Sequence, residues 1–140
     1  MNRGSNPQLG LTVLRVVLGV TFIAHGAPKL FGGLDMTSGF FGQLGVPLPT
    51  LAAWGVALLE FLGGLGLIAG LLVTPLSILL GMEMFLGIIF LHARNGWYVV
   101  GGGSDGVEFN VLLIAALLML ILGGPGLAAL DSRGRRRRGP

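Results

Sequence analysis

Apolar residues fill four continuous blocks of this chain and do not alternate with polar ones. The blocks run from about Leu9 to Phe31, Thr50 to Val73, Pro75 to His92 and Glu108 to Leu122. Barrel strands in lipid alternate apolar and polar positions, so unbroken runs predict helices. A helix of roughly 17–25 residues crosses a hydrocarbon core of about 30 Å. The second block meets that length. The first does so if its polar end reaches the interface, and the last two sit at the short end of the range. Thr74-Pro75 predicts a tight turn between the second and third spans. The stretch 32–49, rich in glycine and carrying Pro47 and Pro49, reads as a loop, as does 93–107 with Gly101, Gly102 and Gly103. The expected fold is an all-α integral membrane four-helix bundle. Residues 1–8 form a short N-terminal segment, 9–131 the four-span domain and 132–140 a basic tail.

Composition agrees with this pattern. The 140 residues are 53% hydrophobic and 11% charged, with a mean hydropathy of +0.85. A soluble domain carries about 25% charged residues, so too few are present here to coat an outer surface in water. Five of the nine Lys and Arg residues fall in the last eight positions, at Arg133 and Arg135 to Arg138. Next to a membrane span such a tail reads as a topology signal or a lipid-headgroup contact. It lacks the interleaved aromatics and folded scaffold of a nucleic-acid surface, so no nucleic-acid partner is expected. With basic flanks at both ends and four spans, both termini are expected in the cytoplasm. Arg15 in the middle of the first run, and that run's length, argue against a cleaved signal peptide. The chain has no cysteine, which excludes disulfides, thiolate chemistry and Cys-ligated iron–sulfur clusters within it.

Three ionisable residues lie deep in separate runs: Arg15, Glu60 and Glu83. A charge at membrane depth is costly and faces the protein interior. With the first span leaving the membrane near Ala27, Arg15 lies about 18 Å from the outer face at the helical rise. Glu60 and Glu83 lie about 15 and 13 Å deep by the same measure. All three are therefore expected in one intramembrane polar cluster, with the forked guanidinium of Arg15 bridging the carboxylates. If Arg15 pairs with one carboxylate, the other is expected to keep its proton. Two roles stay open for such a cluster. It can fix helix register as a buried ion group, or it can serve as a proton relay or ligand pocket.

His25, Lys29, His92 and Arg94 fall near the outer ends of the first and third spans and form a candidate ligand or partner site. Trp54, Trp97 and Tyr98 stand near the same boundary, where an aromatic belt belongs. His25 and Lys29 share a face only if the helix continues past Pro28. Two histidines without diagnostic spacing do not make a metal or haem site, and none is expected. A basic mouth above an apolar interior could hold the carbonyl oxygens of a quinone.

The order of elements along the chain resembles the DoxX family of small four-helix membrane proteins. The resemblance rests on Arg15 with Gly19 and Phe22, on His25-Gly26-x-x-Lys29-Leu30, and on Phe-x-x-x-Gly-x-Pro at Phe41 to Pro47. Glu60-x-x-Gly63-Gly64, Leu67, Gly70-Leu71 and Gly124-Pro125-Gly126 complete it. It covers about residues 9 to 131. It implies a bundle in a prokaryotic plasma membrane, in a family named for a subunit associated with a terminal quinol oxidase and thiosulfate:quinone oxidoreduction. Carried over by position, its motif residues are Arg15, His25, Lys29 and Glu60, with Glu83 and His92 beside them. The resulting expectation is an accessory or quinone-associated subunit of a membrane oxidoreductase, with no catalytic residue assigned. Its partners would be the lipid bilayer, membrane or periplasmic-side redox proteins and further copies of itself. A small oligomeric permease and a structural membrane partner are the alternatives.

Overall fold

A computed structural model describes residues 6–92, 95–98 and 106–131. The protein is an all-α membrane bundle, and no strand occurs among the described residues. Its helices are α1 (Asn6–Pro28), α2 (Leu34–Gln43), α3 (Pro49–Ala69), α4 (Val73–Gly87) and α5 (Glu108–Gly123). Among the described residues, three stretches are long and apolar enough to cross a membrane: Pro7–Gln43, Pro49–Ala69 and Val73–His92. Helix α5 is shorter, at 16 residues, or about 24 Å at the helical rise.

The stretch expected as a loop after the first span is largely helical. Helix α1 ends at Pro28, a wide π turn covers Lys29–Gly33, and α2 resumes the path. Within the turn Phe31 (φ −101°, ψ 35°) and Gly32 (φ 142°) leave helical geometry. Gly32 makes the break, because its φ of 142° is a conformation that glycine adopts and residues with a Cβ rarely do. Helix α2 then lies along the first half of α3. The hydroxyls of Ser38 and Thr50 are 2.8 Å apart, and Phe31 meets Phe61 edge to face at 5.4 Å. The first span is thus one discontinuous helix, broken in the middle and not ended there.

The second turn also differs from expectation. Thr74-Pro75 was the expected breaker, but α3 stops at Ala69 and α4 starts at Val73. Gly70 adopts a left-handed conformation (φ 69°), and the N–H groups of Leu71 and Gly70 return to the carbonyls of Gly66 and Leu67. That pair of bonds closes a helix with glycine just past its end. Pro75 falls in the first turn of α4, where its missing N–H is not needed.

Backbones meet directly where α1 crosses α3. A Cβ at Gly19 would lie 2.7 Å from the Gly64 carbonyl oxygen, and one at Gly64 would lie 2.6 Å from that of Gly19. Small residues allow transmembrane helices to approach this closely. Leu18, Phe22, Leu67, Val73, Leu80, Leu113, Leu117 and Leu120 form the buried core between α1, α3, α4 and α5. The spans run alternately up and down, so the start of α1 and residue 131 share one end of the bundle. There Leu127 accepts from and donates to the Thr12 hydroxyl, and the backbone of Asp131 donates to the Gly70 carbonyl.

An intramembrane lysine and two carboxyl groups

Glu60 lies within α3, about 16 Å from one end and about 14 Å from the other at the helical rise. It is 3% exposed. Its partner is Lys29: the ammonium sits 2.5 Å from Glu60 Oε2. Lys29 precedes the residues that leave helical geometry and lies one turn past Gly26, which itself packs on Glu60 and Phe61, so the α1 path brings it level with Glu60. Gly26 lets α1 press against α3 just before the turn, since a Cβ there would meet the Phe61 nitrogen and Glu60 Cβ. Glu83, midway along the 73–92 helical stretch, lies beside Glu60: Gly63 faces Leu80 where the two antiparallel helices meet, and Glu60 and Glu83 each stand one turn from that contact on the same side. Glu83 Oε2 is buried and has no hydrogen-bond partner among the described residues.

The expected cluster of Arg15, Glu60 and Glu83 is therefore split. Glu60 and Glu83 do come together, but Arg15 does not join them. It is 2% exposed and lies at the end of the bundle that carries both termini. It approaches the Leu127 carbonyl at 3.4 Å, feels the charge of Asp131 and packs so tightly on Gly70 that no Cβ fits there. Its Nε and Nη1 have no hydrogen-bond partner among the described residues. The depth estimate failed for one physical reason. It ended the first span near Ala27, whereas the helical path continues through the π turn into α2, with Lys29 level with Glu60 midway along α3 and Arg15 level with Gly70 just past its end.

The outer site is rearranged for the same reason. Lys29 belongs to the interior group. His25 is exposed on α1 with its ring 6.1 Å from Phe109. His92 is half-buried in the π turn that closes the 73–92 stretch, and Arg94 lies outside the described residues. Among the described residues no three His, Asp or Glu side chains converge as a metal site would need.

Two contributors were not anticipated. Asn110 of α5 is 6% exposed and donates to the Met84 carbonyl at 3.2 Å, one residue from Glu83. Asp131 caps α4: its two oxygens accept from the N–H groups of Leu72 and Val73 at 2.9 and 2.8 Å. A carboxylate at a helix N-terminus satisfies orphan donors and complements the helix dipole. Asp131→Ala should lower stability by about 1–2 kcal/mol. Amide exchange at Leu72 and Val73 should rise with it, and unchanged protection there would contradict the cap.

The DoxX family profile matches residues 10–93, which span Arg15, Lys29, Glu60 and Glu83. The chain belongs to the DoxX family. This DoxX protein is 31% identical over 124 residues to the Bacillus subtilis (strain 168) protein named "Putative oxidoreductase CatD", covering 89% of this chain and 86% of that one. It is 30% identical over 127 residues to "Inner membrane protein YphA" of Escherichia coli (strain K12), covering 88% and 89%. It is 28% identical over 124 residues to "Inner membrane protein YqjF" of the same organism, covering 89% and 91%. No solved structure matches the chain. The glycines that carried the family resemblance have clear structural work in this DoxX protein. Gly19 and Gly64 form the helix crossing, Gly26 admits Glu60, and Gly70 seats Arg15.

Proposed function

We propose that this DoxX protein is an accessory, quinone-associated subunit of a redox complex in a prokaryotic plasma membrane, with both termini cytoplasmic. The observation that carries the reading is the Lys29–Glu60–Glu83 group, set at mid-depth where the first span is broken. Discontinuous helices place polar ligand sites near the midplane of membrane proteins. An apolar ligand with polar carbonyls is the kind of molecule that reaches such a depth. The fit of a quinone rests on donors. Lys29 keeps N–H groups beyond the one given to Glu60, and the Glu83 carboxyl has a buried oxygen without a partner. Lys29 would donate to one carbonyl oxygen, and Glu83, protonated at its unpartnered oxygen, would donate to the other. When bound, the quinone supplies two-electron redox chemistry. The chain itself contributes orientation, exclusion of water and a held proton. It has no cysteine, so thiol-based electron transfer belongs to a partner. The relative named as an oxidoreductase supports the redox class, and the two named as inner membrane proteins support the location. The shared end of α1 and residue 131, together with the arginine-rich tail, supports the orientation.

Photolabelling with an azidoquinone in native membranes tests the reading. Label is expected on the 28–33 turn and around Glu83, reduced by excess unlabelled quinone and lost in Lys29→Gln. Absence of competed label at both places would reject quinone association. Proton-coupled solute uptake in liposomes that disappears in Glu60→Gln and Glu83→Gln would instead assign the group to a permease.

A further inference from the structure

Two carboxyl groups and one ammonium share this cluster, and the charge count sets the protons. One ammonium offsets one carboxylate, and a second carboxylate beside the first is disfavoured at membrane depth. Glu60 already receives the Lys29 ammonium at 2.5 Å. It is the better-compensated partner and hence the ionised one. Glu83 is then the carboxylic acid. The group is neutral with its proton and singly negative without it. At membrane depth that difference is large, because a net charge there is strongly disfavoured.

We propose that Glu83 is a proton-exchange site, loading and unloading a single proton at mid-membrane depth while the Lys29–Glu60 pair stays ionised. The step balances simply. The Glu83 O–H bond breaks, the proton passes to an acceptor oxygen or water, and the negative charge left behind is shared with Glu60 and held by Lys29. Lys29 keeps N–H groups beyond the one given to Glu60, so one ammonium can serve both carboxylates. The charged groups facing Glu83 are Glu60 from α3 and Lys29 from the turn. Helix α5 contributes the neutral Asn110, which holds the neighbouring Met84 carbonyl. His25 of α1 is turned to Phe109. This inference rests on the cluster geometry and stands whether or not a quinone binds.

Infrared difference spectra of the full-length protein in lipid bilayers, recorded as pH is stepped, test it. A carboxylic-acid carbonyl band is expected that shifts in deuterated water and is replaced by a carboxylate band as pH rises. The band should vanish in Glu83→Gln, persist in Glu83→Asp with a changed midpoint, and persist in Glu108→Gln. Glu83→Gln keeps an amide donor for Glu60, so the bundle should fold, as circular dichroism would confirm. A band that survives Glu83→Gln, or is lost in Glu60→Gln while Glu83→Gln keeps it, overturns the assignment. A band that neither exchanges nor titrates while the protein stays folded makes the Glu83 carboxyl a purely structural group and overturns it equally.

Discussion

Gly64→Ala should unfold or loosen the bundle, while Gly63→Ala next to it should be tolerated. The two residues are adjacent on α3 but face different neighbours. A Cβ at Gly64 would lie 2.6 Å from the Gly19 carbonyl oxygen and 3.0 Å from the Ile23 nitrogen, both backbone atoms. Relief requires α1 and α3 to separate, which also strips packing from Leu18, Phe22 and Leu67. Overpacking of this kind costs about 3 kcal/mol. At Gly63 the nearest atoms are the side-chain carbons of Leu80 at 3.4–3.6 Å, an ordinary contact. Thermal unfolding of both variants in the same detergent gives the comparison. Equal stability of the two would mean that α1 and α3 do not meet at Gly19 and Gly64.

Lys29→Met should be the most damaging change at the candidate site. It removes the counter-charge of a glutamate that is 3% exposed. Breaking a buried ion pair from one side costs about 3–5 kcal/mol, because the other charge is stranded. Pairing the change with Glu60→Gln removes the stranded charge, so the double variant should regain most of the loss. The reverse single change, Glu60→Gln, should cost less than Lys29→Met, since Glu83 stays near Lys29 and can ionise as its counter-charge. A double-mutant cycle on unfolding measures all three. If the double variant is no better than Lys29→Met, the two residues do not act as a pair.

The helical class and the carboxyl pair were legible in the sequence, for physical reasons. Continuous apolar runs in lipid read as helices, and a depth count from Thr50 and His92 puts Glu60 and Glu83 at similar levels. Lys29 and Arg15 were misplaced because the count assumed one unbroken helix per run. The warning was present in Pro28 followed by Gly32-Gly33, inside a helical stretch that reaches 37 residues. At the helical rise that is about 55 Å, far more than a bilayer core, so a break near its middle had to be considered. Asp131 was not foreseen as a cap because its contact with Leu72 and Val73 depends on how the chain after α5 folds back. Asn110 was passed over inside α5, although a lone amide in an apolar helix is itself a signal.

The crossing at Gly19 and Gly64 also bears on how the chain enters the membrane. Residues 6–69 are synthesised before α4 exists, and they already contain both glycines, Lys29 and Glu60. The first hairpin can therefore close on itself and meet lipid with its two opposite charges joined. Glu83 arrives later, when the Lys29–Glu60 pair is already in place. The order of residues along the chain is what lets the pair form before the third span enters.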